Sequence, residues 1–166
     1  MGISIIRIDD RLIHGQVVEG WLRSVKINNI LIISEKLADK EEEKILFSLA
    51  IRGDIAVDCL KIGEAAEKLK GNYYKNSKVM VLVESPREIL ALLELGVKIE
   101  SVNVGGMHFS PGKSPVNDFL YLDREDCSVF EQIIQRGVVV EGRALPKDKS
   151  IDVAAEIKKL KNKLFK

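Results

Sequence analysis

Five apolar residues in succession, Val79-Met80-Val81-Leu82-Val83, constrain the fold of this chain more than any other feature. A strand wetted on one side alternates apolar and polar residues, whereas a strand covered on both sides does not. Comparable runs occur at residues 3–8, 30–34 (Ile-Leu-Ile-Ile-Ser), 55–60 and 101–104, with weaker strand candidates at 119–122 and 138–141, the last as an edge strand. Segments with helical spacing lie between them, at about 16–25, 38–52, 62–71, 86–96 and 124–136, and another follows at 151–164. This βα rhythm implies an α/β domain with a mostly parallel sheet and helices on both faces. The loops after the strands then share one rim, where ligands bind in such sheets.

Local signals agree with this division. Ser85-Pro86-Arg87-Glu88 has a capping serine, a proline at the first helical position and a glutamate three residues after the cap. Asp123 is placed to cap the next helix, and Gly96 and Gly137 stand where helices should stop. The stretch 110–117 reads as a loop inside one domain spanning 1–166. Trp21, on the first helix, is expected to pack against the sheet.

Composition narrows the function. With 46% hydrophobic and 31% charged residues the chain is of globular type, and a net charge of +1 gives no reason to expect nucleic acid as a partner. No apolar stretch approaches the roughly 20 residues of a membrane helix, and the N-terminus lacks signal-peptide architecture, so a cytoplasmic location is expected. Cys59 and Cys127 form no zinc or redox pattern and read as buried free thiols. Walker A, GxGxxG, GxSxG and HExxH motifs are all missing from the sequence.

Chemistry concentrates in residues 7–16, Arg-Ile-Asp-Asp-Arg-Leu-Ile-His-Gly-Gln, which close the first strand and open the first helix. Alternation along the strand puts Arg7 and Asp9 on one face. Asp10 and Arg11 fall where the chain leaves the sheet, and His14 stands before the helix near Gly15 and Gln16. A neutral imidazole can accept a phosphoryl group and pass it on when a neighbour fixes its tautomer. Arg11 and Arg7 could balance phosphoryl charge, and Asp9 or Asp10 could hold an arginine or accept the second ring N–H. Gly15 would let backbone approach the group closely. Ion pairing and helix capping are the structural alternatives for the same residues. His108, after Gly105-Gly106, falls on the same rim and reads as a supporting loop residue more than a second catalytic one.

The string Arg7-Ile8-Asp9-Asp10-Arg11-Leu12-Ile13-His14-Gly15-Gln16-Val17, with Trp21 following, closely resembles the signature of the IIB component of the mannose/fructose/sorbose family of the bacterial phosphotransferase system. Val104-Gly105-Gly106-Met107-His108 and the Val138–Pro146 segment also resemble that family, so the likeness covers essentially the whole chain. It implies a three-layer α/β/α fold whose parallel strands run in the order 3-2-4-1-5-6, plus an antiparallel edge strand. It further implies a protein-Nπ-phosphohistidine–sugar phosphotransferase. His14 would accept a phosphoryl group on Nδ1 from a IIA phosphohistidine, then deliver it to a sugar bound by the membrane IIC/IID components. Arg11 would contact the phosphoryl group and Asp9 would order the loop. The scheme requires neither metal nor cofactor, implies peripheral association with the transporter, and is compatible with a homodimer. A non-catalytic regulatory or anion-binding relative of the same fold, or a free-standing phosphatase or nucleotide-binding protein, stands as the alternative.

Overall fold

The computed structural model describes residues 2–51 and 53–164. Strand β1 (Ile3–Asp9) leads into α1, which opens as a π-helical stretch (Gln16–Trp21) and ends in one α-helical turn (Leu22–Ser24). There follow β2 (Asn29–Ile33), α2 (Glu41–Ala50), β3 (Ala56–Leu60), α3 (Ile62–Lys70), β4 (Val79–Val83), α4 (Pro86–Glu94) and β5 (Ser101–Gly106). The remaining elements are β6 (Ser114–Pro115), β7 (Tyr121–Leu122), α5 (Arg124–Gln135), β8 (Val139–Gly142), β9 (Ile151–Asp152) and α6 (Val153–Leu164).

The main sheet runs β3-β2-β4-β1-β5-β8-β9. All pairs are parallel except β8 with β9. The sixth parallel place thus belongs to β8, because β6 and β7 pair with each other outside this sheet. Strand β4 is buried throughout, as its unbroken apolar run requires. Each of its side chains contributes about 1.5–3 kcal/mol of hydrophobic stabilisation relative to exposure.

Side-chain alternation along β1 assigns its two faces. Ile6 and Ile8 join a core with Ala65 of α3, Ile89 of α4, Phe130 of α5 and Ile157 of α6. Ile5 packs on the opposite core, which holds Leu12, Val17, Trp21, Ile30, Ile32, Met80 and Leu82. Arg7 and Asp9 share the Ile5 face, where α1 covers the sheet.

Four expectations are corrected. Residues 138–141 do not form the edge: Ile151–Asp152, taken as the start of the last helix, extends as β9 and covers β8. The 119–122 strand contracts to Tyr121–Leu122 and pairs with Ser114–Pro115, inside the stretch read as loop. The second helix begins at Glu41, since Ala38 lies in a turn whose N–H bonds Ser34 O. The first helix has π geometry over most of its length, a distinction that apolar spacing does not carry. The capping signals behave as read: Ser85 with Glu88, and Asp123 with Asp126, form reciprocal capping boxes. Gly96 and Gly137 take φ values of +82° and +85° after their helices.

Strand order also locates the site. After β1 the chain departs toward β2 on one side, and after β5 it departs toward β8 on the other. The carboxyl ends of β1 and β5 therefore flank the point where connections diverge, the usual crevice for a ligand in an open α/β sheet.

Candidate functional site

Asp9 is the centre of the cluster at that crevice. It ends β1 with no exposed side-chain surface, and its Oδ2 lies 2.8 Å from His14 Nε2 and 2.9 Å from Arg7 Nη2. Its Oδ1 accepts the Arg11 backbone N–H at 3.2 Å. A carboxylate can only accept, so the His14 nitrogen facing it carries the ring hydrogen and Nδ1 keeps its lone pair. Burial pushes the Asp9 pKa up, but the His14 hydrogen bond and the Arg7 charge outweigh it, so the net shift is downward.

Arg7 lies beneath this carboxylate, fully buried. Its Nη1 donates to Asn103 Oδ1 at 2.6 Å and to the Arg143 carbonyl at 3.2 Å, while Nη2 also reaches the Ala144 carbonyl at 3.1 Å. The guanidinium lies 5.1 Å from the Trp21 ring centroid, and Trp21 Nε1 donates to the same Ala144 carbonyl at 2.8 Å. Burial pulls the Arg7 pKa down and Asp9 opposes it; a guanidinium remains charged nonetheless. Arg7 is thus walled in by protein, an anchor for Asp9 with no open path to a phosphoryl group.

Glycine makes room for this anchor. The register of β1 on β5 slips between Ile8 and Asp9, so that Asp9 pairs with Gly106. A Cβ at Gly105 would lie 1.8 Å from Arg7 Cζ, inside the guanidinium itself. Only a residue without a side chain permits Arg7 to lie flat over β5 there.

The loop out of β1 presents the histidine. Leu12 adopts φ +55°, a left-handed conformation costing about 1–2 kcal/mol for a residue with a Cβ. Its N–H bonds Asp9 O at 2.9 Å and its side chain is buried under α1, which offsets that strain. The turn reverses the chain so that His14 folds back on Asp9, its side chain 14% exposed. The His14 carbonyl accepts the N–H groups of both Val17 and Val18, fixing the start of α1.

Arg11 differs from Arg7. Its side chain is 47% exposed, its Nε lies 3.9 Å from Asp9 Oδ1, and Nη2 donates to Gln16 Oε1 at 3.2 Å. Gln16 thereby steadies the accessible arginine of the rim. Gly15 has helical backbone angles and open space around its Cβ position, so no protein contact demands glycine there. Asp10 turns to the neighbouring strand, where Oδ1 meets His108 Nδ1 at 2.6 Å and Oδ2 accepts the His108 N–H at 2.7 Å. The structure therefore joins Arg7, Asp9, Arg11, His14 and Gln16 through direct contacts and ties Asp10 to His108.

Sequence reading missed the support beneath them. Asn103, which nothing in the sequence singles out, is buried, accepts from Arg7 and donates to Glu141 at 3.0 Å. Its direct pairing with Arg7 across the sheet was the available signal, once β1 and β5 are known to be neighbours. The Arg143 and Ala144 carbonyls left no mark in residue types.

Cys59 and Cys127 are buried and free, and burial pushes the Cys127 thiol up to about 11. A groove between α5 and α6, lined by Ile134, Ala154, Ile157, Lys158 and Lys161, shares no residue with the His14 cluster. No helix of the described residues is long and apolar enough to cross a membrane.

Residues 3–166 match the family model described as "PTS system sorbose subfamily IIB component". The chain is 33% identical to the sorbose-specific EIIB component of Lacticaseibacillus casei, with 95% of this chain and 96% of that one covered. It is 32% identical to the fructose-specific EIIB component of Bacillus subtilis (strain 168), covering 92% of this chain and 93% of the relative. The mannose-specific EIIAB component of Escherichia coli (strain K12) is 34% identical, but the chain spans 50% of that longer protein. Among solved structures, the IIBSor domain of the sorbose permease from Klebsiella pneumoniae superposes with a TM-score of 0.90 at 29% identity, covering 96% and 98% of the two chains. The chain belongs to the sorbose-type IIB family of the phosphotransferase system, the phosphoryl carriers of sugar uptake.

Proposed function

We propose that His14 is the residue that carries the phosphoryl group, on Nδ1. The observation that supports it is the 2.8 Å contact between His14 Nε2 and the buried Asp9 carboxylate, which leaves Nδ1 as the ring's only lone pair. The donor is a phosphohistidine on a IIA partner, a reading supported by the mannose-specific relative that bears the EIIAB name. The final acceptor is a sugar held by the membrane IIC/IID components, next to which the carrier works at the cytoplasmic face.

The chemistry follows from the tautomer. The Nδ1 lone pair attacks phosphorus as the P–N bond to the donor ring breaks, and the donor keeps that electron pair. His14 retains its Nε2 hydrogen, so the phosphorylated ring bears positive charge, which the Asp9 carboxylate neutralises. In delivery the sugar hydroxyl oxygen attacks phosphorus as the P–Nδ1 bond breaks, Nδ1 regains its lone pair, and the hydroxyl proton passes to solvent. Such transfer needs positioning and charge compensation more than covalent help from other groups.

Arg11 is the accessible cation for the phosphoryl oxygens, and Gln16 holds it in range. Open space over Gly15 leaves room for the group beside the ring. Arg7 acts through Asp9, and Asp10 acts through His108.

The test is labelling. Incubation with phosphoenolpyruvate and the upstream carriers is expected to place one acid-labile, base-stable phosphate on the wild-type chain and none on His14→Ala. Full labelling of that variant refutes the assignment, as does wild-type protein that binds phosphate without passing it to sugar.

A further inference from the structure

Asp10 holds a second imidazole in the opposite sense to Asp9. Its carboxylate bonds His108 through Nδ1 at 2.6 Å, so that ring's hydrogen lies on Nδ1 and its Nε2 is turned away from the carboxylate. The same carboxylate takes the His108 backbone N–H at 2.7 Å, which fixes the residue at both ends. Adjacent aspartates thus orient two histidines, one with Nδ1 free and the other with Nε2 free.

The second ring is also close to the first cluster. Asp9 and Gly106 pair across β1 and β5. A Cβ on Gly106 would lie 3.1 Å from His108 Cε1 and 3.4 Å from Asp9 Oδ1. The edge of His108 between its two nitrogens and Asp9 Oδ1 therefore both border Gly106, and the other Asp9 oxygen holds His14. The His108 side chain is 42% exposed and open to the rim.

We infer that His108 is a further phosphoryl-binding residue, donating its Nε2–H to an oxygen of the group carried on His14. This rests on His14 being the carrier. His108 forms no bond to phosphorus: its Nδ1–H stays on Asp10, and the proton on Nε2 comes from solvent. The ionisable groups on the elements beside it are Asp10 on its own ring, Asp9 across Gly106 with Arg11 and His14 bound to that carboxylate, and Tyr121 of β7, which meets neighbouring Phe109 edge to face. A phosphoryl dianion attracts the protonated ring, so the hydrogen bond is charge-assisted.

The experiment measures forward and reverse phosphoryl transfer between a phosphorylated IIA protein and the full chain by rapid quench. His108→Ala is expected to move the equilibrium toward the donor by about tenfold. His108→Gln, which keeps a side-chain N–H, should recover part of the loss. Asp10→Asn keeps the ring but loosens it, and should shift the equilibrium the same way by less. A structural role would slow both directions alike and leave the equilibrium unmoved in all three variants, and that result overturns the inference. Labelling of His14→Ala in parallel reports separately on the carrier assignment.

Discussion

Asp9 and His14 form a carboxylate–imidazole pair in which the carboxylate is wholly buried and the ring stands at the rim. The buried end is fixed by Arg7, which ties β1 to β5 and to the chain after β8. The rim end carries Nδ1, the nitrogen proposed to react. This division of labour makes separate predictions for the anchor and for the rim.

Asp9→Asn keeps the shape but removes the charge that sets the His14 tautomer and that, in the proposed scheme, neutralises the phosphorylated ring. Phosphoryl transfer measured by rapid quench should fall by roughly 10²–10⁴-fold, the range for losing a group that orients a catalytic base. A rate within threefold of wild type contradicts the proposed role.

The two arginines should behave differently. Arg11→Gln, at an exposed site, is expected to slow transfer by at least about tenfold while changing unfolding free energy by no more than about 0.5 kcal/mol. Arg7→Lys should lose both, because an ammonium cannot satisfy Asn103, Asp9 and two carbonyls at once. Denaturant titration alongside transfer rates checks the contrast. Equal stability losses in both variants would remove it.

Gly105→Ala tests the close approach over β5. Its methyl group would occupy the Arg7 guanidinium, so the arginine or the strand must move. A loss of at least about 1–3 kcal/mol in urea unfolding is expected, the range for overpacking a core. Gly15→Ala has open space and should cost under about 1 kcal/mol, the scale on which glycine and alanine differ in a helix.

Acid should expose the Asp9 linkage. The folded-state pKa of Asp9 lies below the usual carboxylate value, so the folded protein binds fewer protons than the unfolded chain between the two. Its stabilisation is complete above that value and is lost as pH falls toward the folded one. Unfolding free energies measured from neutral pH downward should therefore fall more steeply below about pH 4 in wild type than in Asp9→Asn. Parallel curves contradict the assignment.

The strands and the His14 segment were legible because their information is local. Val79–Val83 announces a doubly covered strand by residue type alone, and Ser85 through Glu88 announces a helix start. The alternation that places Arg7 and Asp9 on one face also follows from position in β1. What stayed hidden depends on distant partners or on very short elements. Arg7 reads in sequence as a cation for a phosphate; its burial becomes apparent only with Asn103 and the Arg143 and Ala144 carbonyls in place. Two-residue strands such as Ile151–Asp152 have no period to detect, so the true edge of the sheet was assigned to a helix. The Asp10–His108 pair joins residues 98 apart in the chain, and no spacing rule reaches that far.

The most direct test is which ring nitrogen bears phosphorus. Heteronuclear NMR of the ¹⁵N-histidine protein, phosphorylated by its upstream carriers, separates the two isomers. Phosphorus on Nδ1 of His14, with Nε2 still protonated against Asp9, is the predicted result. Phosphorus on Nε2 of His14, the nitrogen that Asp9 occupies, would contradict it.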